Sequence, residues 1–239
     1  WGFYDVLFSH TNKDLALKPE DKRAFSFSRP YSSYVMENVL FKISFPAEFH
    51  AQTACEAAVT LHPQVRNRLH DIDRIVITTH ESAIRIISKV GPLANAADRD
   101  HCLQYMTAVP LAFGNLVAEH YEDDFHKAHP IIDVLREKMV IVENPVYTRE
   151  YLEADKRSIA NAVQVFFKDG TSTENVVVEY PIGHRRRRAE GIALLEDKFK
   201  ANLLTRFTGQ RSVEIFALCK DQQRLEATPV NRFVDLFVI

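Results

Sequence analysis

Three short stretches of this sequence carry side chains able to move protons or grip anions. The first spans residues 33–50 and places an ammonium at Lys42, a carboxylate at Glu48 and an imidazole at His50 within nine residues, among Phe41, Phe45 and Phe49. Burial among aromatics penalises whichever form of such a group is charged, and this shifts pKa values toward those that acid–base catalysis needs. The competing reading is structural: a lysine lying along an aromatic cluster, a solvated glutamate and a capping histidine. The second stretch is Asp98-Arg99-Asp100-His101-Cys102-Leu103-Gln104-Tyr105. On a helix, His101 and Tyr105 are four apart and share a face, so both could address one ligand. A tyrosine packed in the core is the alternative. The third is His184-Arg185-Arg186-Arg187-Arg188, whose guanidinium forks suit carboxylates or phosphates. Consecutive residues cannot all point one way, so one or two would serve a single ligand, and a solvated surface run is the plain alternative.

Other chemistries lack their residues. His120, His126 and His129 lie near Glu122, Asp123 and Asp124 without the spacing of a zinc or calcium loop, so no metal site is expected. Seven glycines supply neither a GxGxxG nor a GxxxxGK motif, and there is no GxSxG elbow. Cys55, Cys102 and Cys219 form no CxxC pair and have no cluster-like spacing, which predicts free thiols in a reducing compartment.

The elements that must position these groups are legible in part. A surface linker is expected over residues 9–30. The alanine-rich run between Pro46 and Pro63 predicts a helix with His50, Thr53, Ala54 and Ala57 on one face. The β-branched run over 71–79 predicts a strand. A helix capped by Asp98 should carry Cys102, Tyr105, Met106 and Val109 on one side and kink or end at Pro110. A short helix after Pro130 should lead to a strand at Val140-Ile141-Val142. Alternation at Val163, Val165 and Phe167, then Asp169-Gly170, then Val176-Val177-Val178, predicts an antiparallel hairpin over 162–180 with a two-residue type I′ turn. Ile192, Leu195, Phe199 and Leu203 recur at helical steps. Strands and helices do not alternate regularly, so the expected class is α+β, a small antiparallel sheet covered by helices.

Composition bounds the function. The chain has 239 residues, 46% of them hydrophobic, and 30 basic against 32 acidic side chains give a net charge of −2. That supplies no field to hold nucleic acid or anionic lipid. No apolar run approaches the roughly 18 to 20 residues of a membrane span, and the first residues lack a signal-peptide pattern, so a soluble intracellular protein is expected. The opening at Trp1 suggests a partial chain.

The opening octapeptide WGFYDVLF, residues 34–53, residues 97–106, VEYPIGHRRRR at 178–188 and the ending at 229–239 together resemble the MmgE/PrpD family along nearly the whole chain. The resemblance implies the C-terminal half of a protein made of a larger, mostly N-terminal all-helical domain and a smaller α+β lid. Residues 1–40 would end the helical domain and form the linker, 41–187 the lid, and 188–239 helices returning to the helical domain. It implies a cofactor-free, metal-independent hydro-lyase of the methylcitrate cycle of propionate catabolism, dehydrating 2-methylcitrate to 2-methyl-cis-aconitate. Lys42, His50 and Tyr105 would be catalytic, and Glu48, His101, His184 and Arg185 would bind substrate. The spacing from Lys42 to Pro46 leaves open which of Glu48 and His50 faces substrate. The implied partners are a small tricarboxylate, the N-terminal helical domain and a second copy in a homodimer, with no nucleic acid or membrane, in a bacterial cytoplasm or mitochondrial matrix. Decarboxylation of cis-aconitate, dehydration of citrate, and a non-catalytic anion-binding module remain as alternatives.

Overall fold

The computed structural model describes residue 37 and residues 39–239. The linker expected over 9–30 and the opening octapeptide lie outside the described residues. Leu40–Ile239 form one compact unit, and its architecture is α+β, as expected.

Helix α1 (Gln52–Val65) follows a 3-10 turn at Phe49–Ala51. Alanines at 54, 57 and 58 let it sit close to its neighbours, and with Leu61 and Val65 they are fully buried. The helix runs through Pro63 rather than stopping at it. Strand β1 (Ile72–Thr79) buries Ile72, Ile75 and Ile77 on one face. Its end leads directly into α2 (Glu81–Ile87), with His80 as the capping residue.

The helix expected with Asp98 as its cap is two helices. In α3 (Ala96–Arg99) the cap is Asn95, whose side chain accepts the Asp98 amide. Asp98 does not cap it; its carboxylate instead takes the Ala94 amide and the Lys89 ammonium. After a break, α4 (Leu103–Phe113) begins and passes through Pro110 to end at Gly114, which sits in the left-handed region. Pro110 cannot donate to the Met106 carbonyl, and that carbonyl accepts the Cys55 thiol at 3.1 Å instead. The lost helical bond is thus replaced from α1.

Helices α5 (Asp123–Ala128) and α6 (Ile131–Glu137) lead to β2 (Met139–Glu143), and α7 (Pro145–Leu152) starts with Asn144 as cap and proline at its first position. Strands β3 (Asn161–Phe167) and β4 (Val176–Val178) form the expected hairpin. Its turn is not type I′, which would need positive φ at both central residues. Gly170 alone in the loop has positive φ, and its amide donates to the Phe167 carbonyl at 3.0 Å. That is a type I turn over Lys168-Asp169 with the glycine as a bulge. The sequence signal was ambiguous because Asp-Gly suits both.

The strand order is β2-β1-β3-β4. The β1–β3 and β3–β4 pairings are antiparallel, and β1–β2 is parallel, joined by the long helical connection that a parallel pair requires. Helix α1 covers one face against β3 and β4, and α4 packs on α1, so that Ile75, Ile77, Val163 and Val165 share one buried core with Leu61, Leu103 and Met106. The opposite face keeps Val140, Val142 and Val177 exposed. The chain continues through α8 (Arg188–Leu204), α9 (Gly209–Lys220), α10 (Gln222–Ala227) and α11 (Val230–Asp235). No helix among the described residues is long and apolar enough to cross a membrane.

Candidate active site

Glu48 and His50 form the best-defined functional geometry. Glu48 caps the 3-10 turn, its carboxylate accepting the His50 amide at 2.7 Å. The same carboxylate meets the His50 ring at Nδ1, at 2.7 Å and 2.9 Å from its two oxygens. Local backbone geometry and ring orientation are therefore set by one side chain. Gln52 pins the approach to this turn by donating to the Phe45 and Ala47 carbonyls, and Asn161 on β3 donates to the His50 carbonyl at 2.8 Å. Burial works to raise the Glu48 pKa, but the hydrogen bond and charge of His50, with a smaller contribution from His101, hold it below the ordinary carboxylate range. A carboxylate ionised beside a ring nitrogen stabilises the imidazolium and fixes its tautomer, as a proton-transfer histidine requires.

The other ring nitrogen of His50, Nε2, lies 3.1 Å from the Tyr151 hydroxyl at the end of α7. Tyr151 stacks on His80 with centroids 4.7 Å apart and planes 9° from parallel, and His80 lies 5.2 Å from the His50 ring. These groups converge at the carboxyl ends of the parallel pair: His80 follows β1 and α7 follows β2. Burial, with the nearby His50 charge, drives the His80 pKa down to about 4. Neither Tyr151 nor His80 was singled out from sequence. Both lie far from His50 along the chain and in no dense motif; only the parallel β1–β2 pairing, which the periodicity did not reveal, brings them together.

The remaining expected residues make no hydrogen bond to Glu48 or His50 among the described residues, although the charge of His101 reaches Glu48. Lys42 is exposed, with its ammonium 5.1 Å from the Phe49 ring centroid. His101 sits in the break before α4 and pairs with Asp100 at 2.6 Å. Because the helix starts at Leu103, His101 and Tyr105 do not share a continuous helical face. Tyr105 is fully buried and donates to the His120 carbonyl at 2.7 Å, and burial pushes its pKa up to about 12. His184 is buried against Tyr180, with Nδ1 accepting the Arg186 amide. Arg185 and Arg186 reach the Asp155 carbonyl in the segment after α7, and Arg187 makes a two-pronged pair with Glu56 on α1 at 2.9 Å. The arginine run is therefore largely an anchor between elements, with Arg185 and Arg186 exposed at its start. Among the former metal suspects, His126 pairs with Asp133 and His129 with the Phe125 carbonyl.

Comparison with known proteins gives these positions a context. Residues 45–222 match the MmgE/PrpD C-terminal domain. The chain is 53% identical over 242 aligned residues to the 2-methylcitrate dehydratases of Cupriavidus necator and Escherichia coli (strain K12), covering 100% of this chain and 47% of theirs. It is 49% identical to the mitochondrial 2-methylcitrate dehydratase of Yarrowia lipolytica, covering 44% of that protein. The chain thus spans about half the length of the curated relatives it matches. With a match over most of its length and identity near one half throughout, this chain belongs to the MmgE/PrpD family and carries its C-terminal domain.

Proposed function

We propose that this chain is the lid-bearing half of a hydro-lyase that dehydrates 2-methylcitrate to 2-methyl-cis-aconitate. The observation that carries the reading is the Glu48–His50 pair, an oriented proton-transfer unit in a chain whose relatives are named for that dehydration. The reaction removes a proton beside a carboxylate and expels hydroxide from the neighbouring carbon. It needs a base, an acid for the leaving oxygen and cations for the carboxylates. His50 moves a proton, with Glu48 setting its tautomer and balancing its charge. Lys42, on an exposed stretch before the turn, anchors a substrate carboxylate, and Arg185 and His101 complete an anion-binding rim, while the buried His184 holds the arginine run through its Nδ1. Tyr105 acts as donor to substrate only by exchanging the His120 carbonyl for it. These are ordinary ionisable groups acting without metal or cofactor. Residues 41–187 form the lid, residues 188–239 dock on a helical domain supplied by the rest of the protein, and the enzyme works as a homodimer in a cytoplasm or mitochondrial matrix.

The test is an assay of the complete protein on 2-methylcitrate in metal-free buffer, following the unsaturated product in the ultraviolet. Turnover that His50→Ala lowers by about 100-fold to 10,000-fold, the range for one acid–base group, supports the reading. No turnover, or carbon dioxide release from cis-aconitate in its place, overturns it.

A further inference from the structure

We propose that Tyr151 and His80 are positioning residues for His50: the Tyr151 hydroxyl holds the imidazole at Nε2 while Glu48 holds it at Nδ1, and His80 holds Tyr151. The activity readout rests on the dehydratase reading above, whereas the structural readout rests on this geometry alone. An ionised carboxylate only accepts, so its 2.7 Å approach to Nδ1 places the proton of neutral His50 there. Nε2 is then the acceptor, and the Tyr151 O–H at 3.1 Å is the donor that faces it. The ring is thus clamped from both sides, by Glu48 two residues before it and Tyr151 101 positions after it, while Asn161 holds its backbone carbonyl.

His80 explains how Tyr151 stays in place. It is fully buried, and its Nδ1 accepts the Ala83 amide, which leaves the proton on Nε2. That Nε2 has no hydrogen-bond partner among the described residues. The cap accounts for Nδ1, but a buried N–H without a partner is costly, so hydrogen bonding does not account for the second ring nitrogen. What the ring does offer is a flat face, nearly parallel to Tyr151. Its lowered pKa keeps it neutral, so it adds no positive charge beside His50 when that ring takes a proton. Tyr151 itself is half-buried at the end of an eight-residue helix, and its hydroxyl is directed at the one ring that the local sequence has already oriented. At rest the clamp presents His50 as a single tautomer, and rotation of the Tyr151 hydroxyl frees Nε2 for substrate.

The experiment uses the complete protein and the variants Tyr151→Phe, His80→Phe and His80→Ala. In Tyr151→Phe, which keeps the stack, kcat should fall about 10-fold to 100-fold, as for other residues that orient a functional histidine. KM should stay within about threefold, because the lost contact is with His50 and not with substrate. His80→Phe should retain more activity than His80→Ala. In a His50→Ala background, Tyr151→Phe should add less than about a twofold loss, since the two act as one unit. Nitrogen-15 spectra of the histidines should show His50 with Nδ1 protonated in the wild type and a tautomer mixture in Tyr151→Phe. An unchanged kcat with an unchanged spectrum overturns the proposal, as does a full multiplicative loss in the His50→Ala background. Absence of turnover in the wild type defeats the dehydratase reading instead, and the spectra still decide the clamp. If His80→Ala fails to fold, Tyr151→Phe and the spectra decide it.

Discussion

Within nine residues, Lys42, Glu48 and His50 have three different fates. Lys42 remains in solvent, Glu48 folds back as a cap, and His50 is buried behind it with its ring fixed. The difference comes from the turn: a carboxylate two residues ahead of a histidine can satisfy both its amide and its ring. Glu48→Gln keeps the shape but removes the charge that steadies an imidazolium. In the complete protein it should lower turnover by about 100-fold or more, with little change in thermal midpoint; equal turnover would show that Glu48 serves only as a cap. Tyr105 presents the opposite balance. Its hydroxyl satisfies a backbone carbonyl, so Tyr105→Phe should lower unfolding free energy by about 1 to 3 kcal/mol whatever it does to turnover. Denaturant titration of the complete protein checks it, and unchanged stability would mean that the His120 carbonyl finds another donor.

Among the elements, two glycines separate conformational strain from steric strain. Gly170, at the hairpin turn, has φ +84° and open space where a Cβ would go. Gly183 has φ +103°, and a Cβ there would lie 2.1 Å from the Phe41 carbonyl oxygen, in a segment where the Phe41 amide also bonds to Gly183. Gly170→Ala should therefore cost about 1 kcal/mol, the usual penalty for a left-handed alanine. Gly183→Ala should cost clearly more, because backbone must move as well. Comparable denaturation midpoints for the two variants would show that the Phe41 segment yields freely. The same scale shows what was legible. The β-branched run at β1, the hairpin and the alanine-rich α1 follow from local periodicity, and each formed. The split between α3 and α4 did not show, because Asn95 and Asp98 are both good caps and only the fold selects between them. Pro110 was read as a helix breaker, and its tolerance depends on a thiol from a helix 51 residues away. Glu48 and His50 were visible because their interaction is local. Tyr151 and His80 were not, because a parallel strand pairing leaves no short-range mark.

For the whole molecule, His80 and His184, the histidines lowered furthest among the described residues, link its stability to pH. Burial lowers the His80 pKa to about 4, helped by the charge of His50 and opposed by Glu48. His184 is lowered to about 4 by burial and then by the guanidinium groups of Arg185, Arg186 and Arg188, with a hydrogen bond to the Arg157 backbone working the other way. In the unfolded chain both rings protonate near the ordinary value of 6.5. Between the folded and unfolded values the unfolded state binds more protons, so stability rises with pH through this window. The contribution of the two rings is complete above about pH 6.5 and is lost as pH falls toward 4. Glu48 and other carboxylates held low add their loss mainly below their ordinary value of about 4.5, which leaves the interval from pH 5 to 6.5 to the histidines. Urea titrations of the complete protein at pH 7 and pH 5 should show a lower midpoint at pH 5. His80→Gln and His184→Gln should each remove part of that drop, since an amide has no proton to gain. A midpoint independent of pH over this interval would mean that both rings reach solvent or gain a counter-charge when the rest of the protein is present. The same drop in both variants would assign the acid sensitivity to other groups.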